Sequence, residues 1–84
     1  MKYAVICYAI HHKEITSFNV FSMRSKAVKF LHDDVRERYE DEFKDLDFGR
    51  ENEISCNIYD DDTAILSSWD GDFQWTWEIK EIKE

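Results

Sequence analysis

The residues best suited to do chemistry in this sequence are the carboxylates that crowd its middle. Between residues 33 and 47 there are eight Asp and Glu residues against three Arg and Lys residues. On a helix, carboxylates three or four positions apart lie about 5–6 Å from one another and repel. The pattern favours either a docking surface for a basic partner or a solvated face that only maintains solubility. The residues predicted to bind such a partner are Asp33, Asp34, Glu37, Glu40, Asp41 and Asp45.

The overall charge indicates the same class of partner. The chain has 84 residues, with 11 Lys and Arg against 19 Asp and Glu, which gives a net charge of −8. Phosphate groups repel such a chain, so neither direct binding to DNA or RNA nor binding to an anionic membrane surface is expected. A basic protein is the natural complement.

The other polar residues form no recognisable catalytic or metal-binding motif. The aspartates of 60–62 and of 70–72 do not match a calcium loop, and a strand of about 20 Å separates them. His11, His12 and His32 have no third ligand close in sequence. There is no nucleophile elbow, no Cys–His neighbour pair and no glycine-rich phosphate loop. We therefore expect no enzymatic activity, no cofactor and no bound metal.

Hydrophobic periodicity predicts the elements that must position these residues. Apolar residues recur at steps of three and four after Ser22, which is the predicted N-cap of one long helix; Ser25 is a second N-cap candidate. Alternation and β-branched residues predict the strands, and Gly49 falls in a loop over 47–52. In chain order, the predicted elements are strands over 2–10 and 15–21, a helix over 23–44, and strands over 54–59, 63–69 and 73–82.

Turn chemistry predicts how the last strands pair. Asp70-Gly71 is typical of a two-residue hairpin turn, which places Leu66 opposite Trp75 and Ala64 opposite Trp77. The same turn places Ser68 opposite Phe73. A turn at 60–62 then aligns Cys56 with Leu66 and Ile58 with Ala64. We predict one α+β domain over residues 1–84: an antiparallel sheet of about five strands in the order β-β-α-β-β-β, with one long amphipathic helix packed on one face.

The second face of this sheet is a separate candidate surface. One helix cannot cover both faces, and Ile6, Tyr8 and Ile10, with Ile65 and Tyr59, are predicted to form an apolar patch there. A patch of this kind marks a partner or self-association. The alternative function is therefore a dimeric structural or accessory module, in which the negative charge serves only solubility.

The tryptophans and cysteines are expected to be packing residues. Trp75 and Trp77 share the parity of the predicted core face, whereas Trp69 has the opposite parity. Cys7 and Cys56 lie in apolar runs and are predicted to be small buried side chains. The short apolar start of the chain lacks a cleavage site, and no stretch approaches a membrane span, so a cytoplasmic protein is expected.

The arrangement resembles small acidic proteins of phages and mobile elements, a group that includes anti-CRISPR inhibitors and DNA mimics. The resemblance rests on a strand pair, an acidic amphipathic helix opened by Ser22, and a closing hairpin around Trp69-Asp70-Gly71-Asp72. It covers most of the chain as architecture, size and charge, and no family motif carries individual residues over. The resemblance implies a non-enzymatic inhibitor in a host bacterial cell, which occupies the nucleic-acid-binding surface of a defence nuclease.

Overall fold

The computed structural model, which describes residues 1–44, 54–68 and 73–83, shows an α+β fold with one helix on one face of a five-stranded antiparallel sheet. The strand order in the sheet is β2-β1-β5-β4-β3. The predicted order β-β-α-β-β-β is confirmed. The elements are β1 (Lys2–Ala9), β2 (Glu14–Phe21), α1 (Arg24–Lys44), β3 (Ile54–Tyr59), β4 (Thr63–Ser68) and β5 (Gln74–Ile82).

The predicted register of the last three strands is also confirmed. Leu66 lies opposite Trp75 and Ala64 opposite Trp77, so a small or medium side chain faces each indole. β3 pairs with β4 through Cys56–Leu66 and Ile58–Ala64, as the turn at 60–62 requires. The Ser68 N–H donates to the Phe73 carbonyl at 3.1 Å, which matches the predicted alignment of these two residues. The Asp70-Gly71 turn itself and Trp69 lie outside the described residues.

The core lies between α1 and the strands beneath it. One stripe of α1 is buried because its apolar residues recur every four positions. The sheet presents β-branched and small residues from β1 and both large indoles from β5, which fill the space under the helix. The buried residues of this core are Val5, Cys7, Ala9, Ala27, Leu31, Val35, Ala64, Leu66, Trp75 and Trp77.

The start of α1 differs from the prediction. The first intrahelical hydrogen bond runs from the Ala27 N–H to the Met23 carbonyl at 3.2 Å. The residue whose carbonyl accepts this bond occupies the N-cap position, so the N-cap is Met23 and neither Ser22 nor Ser25. The strand preceding the helix continues to Phe21 and leaves two residues for the change of direction. The predicted loop over 47–52, with Gly49, lies outside the described residues.

A polar strand divides the open face of the sheet, which lies opposite α1. Ile6 and Tyr8 on β1 are half-buried, and Ile10 is exposed just beyond the strand. β5 contributes polar residues such as Thr76 and Glu78 to the middle of this face. The predicted patch of Ile6, Tyr8 and Ile10 is therefore not continuous with Ile65 and Tyr59, which lie across the polar strand.

Cys56 departs from the sequence-based expectation, whereas Cys7 agrees with it. Cys7 is buried under α1, and burial raises the pKa of its thiol. Cys56 is exposed because α1 lies mainly over β1 and β5 and leaves the inner face of β3 open.

Among the residues that the structure describes, no helix is long and apolar enough to cross a membrane.

Candidate functional site

Helix α1 positions the predicted partner-binding carboxylates. Its buried stripe of Ala27, Leu31 and Val35 fixes the rotation of the helix on the sheet. Residues on the side of the helix away from this stripe then point outward, since successive residues are rotated by about 100°. Glu37, Glu40 and Asp41 accordingly have exposed side chains. We call these three residues the helix carboxylate cluster.

Asp33 lies on the outer face, but its charge is already compensated. The Lys29 ammonium donates to one of its carboxylate oxygens at 3.0 Å, and the Arg36 guanidinium donates to the other at 3.3 Å. The hydrogen bond from Lys29 lowers the pKa of Asp33, which stays ionised. A carboxylate with two cations beside it attracts an incoming basic group less strongly than an unpaired one.

Asp34 has a structural contact that the sequence pattern did not reveal. Its carboxylate accepts a hydrogen bond from the indole Nε1–H of Trp77 at 2.9 Å. Trp77 is 1% exposed, so this bond satisfies a donor that water does not reach. Asp34 therefore ties α1 to β5, and its acceptor oxygen is turned towards the sheet instead of towards solvent.

Arg38, which lies between Glu37 and Glu40 in the sequence, also points inward. The guanidinium of Arg38 stacks over the Trp75 ring, 4.9 Å from the ring centroid. This cation–π contact holds the positive charge against the sheet. Arg36 is occupied with Asp33, as described above. Among the side chains that the structure describes, no ion pair engages Glu37, Glu40 or Asp41, so the outer face of the C-terminal half of α1 carries unpaired negative charge.

The distribution of charge along α1 opposes the helix dipole. The N-terminal two turns carry Arg24, Lys26 and Lys29, and the first turn has no acidic residue. The helix carboxylate cluster lies towards the C-terminus, where the dipole favours cations. This effect falls off within the last turn, so it applies to Asp41, where it costs about 0.3–1 kcal/mol at low ionic strength. Helix stability alone does not account for this arrangement.

Asp45, the last predicted partner-binding residue, lies outside the described residues. The structure thus divides the six predicted residues into different groups. Glu37, Glu40 and Asp41 form one exposed cluster, Asp33 belongs to an ion-paired network, and Asp34 belongs to the helix–sheet contact. Sequence spacing places Asp33 and Asp34 on the helix, but it does not show which neighbours they bind.

A groove of about 540 Å³ opens between α1 and β3. Its floor is apolar, with Val35, Cys56 and Ile58, and Arg36 lies on its rim. At one end, the His32 ring and the Asp61 carboxylate are 3.1 Å apart, which connects the helix to the turn after β3. Cys56 and His32 both line the groove, and no hydrogen bond joins these two described side chains.

Within residues 1–44, 54–68 and 73–83, no three His, Cys, Asp or Glu side chains lie close enough together to hold a metal ion. The His11 Nδ1 atom lies 3.2 Å from both the N–H and the carbonyl oxygen of Gln74, and its ring packs edge-on against Trp75. That histidine therefore joins the end of β1 to β5.

Sequence reasoning missed the most exposed apolar strand. On β2, Ile15, Phe18 and Val20 are all exposed, and each faces the open side of the sheet beside β1. The signal was available, because β2 has an apolar residue at each of these positions, but the prediction placed the patch on the preceding strand.

Comparisons with protein-family models, with curated proteins and with solved structures find no match to this chain.

Proposed function

We propose that this protein is a non-enzymatic interaction protein that docks the helix carboxylate cluster against a basic, nucleic-acid-binding surface of a bacterial defence protein. The partner's arginines and lysines, which otherwise contact phosphate, would bind Glu37, Glu40 and Asp41. Binding would block the nucleic acid and inhibit the partner. The small acidic inhibitors that the chain resembles act in this general way.

One observation carries the proposal. Three adjacent carboxylates project from one rigid helix face with no cation among the described side chains to pair them. They repel one another, and Asp41 lies in the last turn of the helix, where negative charge is unfavourable. A basic surface would relieve both effects on binding. A face that only maintained solubility would need neither the clustering nor the position.

The proposal can be tested by capture from a bacterial lysate with three baits. The parent protein is compared with a helix variant, Glu37→Gln with Glu40→Gln and Asp41→Asn. A turn variant with Asp60, Asp61 and Asp62 changed to Asn serves as the control. Each variant loses three negative charges, from −8 to −5, so total charge is matched.

We expect the parent and the turn variant to retain the same nucleic-acid-binding protein and the helix variant to lose it. Added duplex DNA or RNA should release the captured protein, because both compete for one surface. If the helix and turn variants retain it equally, the cluster is not the docking site. If nucleic acid does not compete, the proposed mode of inhibition is wrong.

A further inference from the structure

The outer edge of β2 is an unprotected strand edge. Among the described residues, β2 has β1 as its one strand neighbour, so one row of its backbone N–H and C=O groups has no strand partner. Such an edge is a template for pairing with another strand. The β2 edge itself contains none of the helix carboxylate cluster, and the inference does not depend on the identity of the partner proposed above.

Apart from one irregularity, β2 lacks the usual protection against such pairing. Edge strands are normally guarded by charged residues, proline, β-bulges or short length. The β1–β2 register shifts at Cys7 and Tyr8, which leaves Thr16 as a bulge near the start of β2, while the rest of the strand is regular. β2 is eight residues long, the chain has no proline, and residues 15–21 carry no charge. Its exposed apolar residues include Phe18, which is 56% exposed, at the middle of the strand. β2 therefore offers both free backbone groups and apolar side chains to a partner strand.

The other sheet edge, β3, is less suited to self-pairing. β3 is six residues long, and acidic residues flank it at Glu51, Glu53 and 60–62. Two antiparallel copies of β3 would bring these acidic ends together. Two antiparallel copies of β2 would meet around Phe18, with no charge between residues 15 and 21 of either strand.

The charge pattern of α1 favours a second copy as the occupant of the β2 edge. α1 starts just after β2 and runs back along the sheet. Phe30 packs on Phe21 at the end of β2, whereas Arg38 reaches Trp75 on β5, which is level with Glu14 at the start of β2. In an antiparallel β2–β2 pair, the two helices are therefore antiparallel as well. The cationic start of each helix, with Arg24 and Lys26, then lies beside the acidic half of the other.

The spacing of the two helices lets these opposite charges interact. α1 packs mainly on β1 and β5, so strand spacing places the two helix axes about 20 Å apart in a joined sheet. Arg, Lys and Glu side chains reach into this gap and bring opposite charges within a Debye length, about 10 Å at moderate salt. The same charges that oppose each helix dipole would then stabilise the pair.

The apolar area available indicates a weak dimer. The exposed parts of Ile15, Phe18 and Val20 offer about 300 Å² of apolar surface per copy, well below the ~800 Å² per partner of a standard stable complex. Backbone hydrogen bonds along the strand and the helix charges supply the rest. A dissociation constant in the micromolar range is expected.

We propose that two copies of this chain pair antiparallel through the outer edges of β2, about a two-fold axis beside Phe18, and form one ten-stranded sheet with both helices on the same face.

The test is sedimentation equilibrium of the intact protein across the micromolar range. Phe18→Lys should raise the dissociation constant at least about tenfold, because two lysines would face each other at the axis. Tyr59→Lys is the matched control: Tyr59 is 51% exposed on the same face of the other edge strand. Circular dichroism confirms that each variant folds, and Val20→Lys replaces Phe18→Lys if that variant does not.

Hydrogen exchange at high and low protein concentration distinguishes the arrangement of the dimer. We expect slower exchange of β2 amides at high concentration and unchanged exchange in β3. A protein that stays monomeric, or that Tyr59→Lys weakens as much as Phe18→Lys, overturns the proposal. A dimer that depends on Phe18 without protecting β2 amides packs face to face and also overturns it.

Discussion

The hydrogen bond between Asp34 and Trp77 gives the sharpest prediction about the helix–sheet contact. Asp34→Ala removes an ionised acceptor from an indole N–H that is 2.9 Å away and buried. A hydrogen bond to a charged group contributes about 1.5–3 kcal/mol to stability. Two gains offset part of this loss, since alanine favours the helix and repulsion with Glu37 disappears, together worth up to about 1 kcal/mol.

Glu37→Ala is the control that isolates the hydrogen bond. Glu37 is exposed on the same helix, so its replacement brings similar gains and removes no contact with the sheet. The difference between the two variants in free energy of unfolding should therefore be about 1.5–3 kcal/mol. In a domain of this size, each kcal/mol lowers Tm by about 4–8 °C.

Thermal and urea unfolding followed by circular dichroism measure this difference. Asp34→Asn, which keeps a neutral acceptor, should fall between the parent and Asp34→Ala. The indole proton resonance of Trp77 should shift in both Asp34 variants and stay in place in Glu37→Ala. If Asp34→Ala and Glu37→Ala unfold at the same temperature, the bond contributes nothing, and Asp34 belongs with the exposed carboxylates after all.

Three further predictions concern the core and the thiols. Trp75→Ala should cost about 3–5 kcal/mol, because it empties a buried site opposite Leu66; an unchanged Tm would contradict the sheet assignment. Cys56 should react with a thiol reagent in the folded protein, whereas Cys7 should react only on unfolding. Burial raises the pKa of the Cys7 thiol in the folded protein above its value in the unfolded chain. Once the pH exceeds the unfolded-state pKa, the unfolded chain loses this proton more readily than the folded protein does. The free energy of unfolding should therefore fall as the pH rises through this range. Equal reaction rates for the two thiols would place Cys7 at the surface.

The register of the C-terminal strands was predictable because local chemistry determines it. The Asp70-Gly71 pair specifies a two-residue connection, and one register then brings Ala64 and Leu66 onto the face of the two indoles. The helix was predictable for a similar reason, since its apolar residues repeat at a helical period. In both cases the decisive residues are close in sequence.

The position of β1 in the sheet could not be derived in the same way. β1 pairs with β5, and these strands are separated by most of the chain. No turn specifies that pairing, and it decides which strands become edges. The exposure of Phe18 on β2 and of Cys56 on β3 follows from this order.

The candidate site was predictable in part. Periodicity identified the outer face of the helix, but Asp33 and Asp34 are adjacent and have different roles. One binds cations on its own helix and the other binds an indole from β5. A contact between residues 43 positions apart leaves no mark in local spacing, so the inward-facing role of Asp34 needed the structure.

The central claim is that the helix carboxylate cluster binds a basic surface, and calorimetric titration of the captured partner at two salt concentrations tests it most directly. Each lost charge-assisted hydrogen bond costs about 1.5–3 kcal/mol, so the helix variant should bind more weakly by several kcal/mol than the parent and show a smaller salt dependence. The turn variant, with the same net charge, should bind like the parent. Equal affinities for the helix variant and the parent, with equal salt dependence, would contradict the claim and leave the helix as a solvated face.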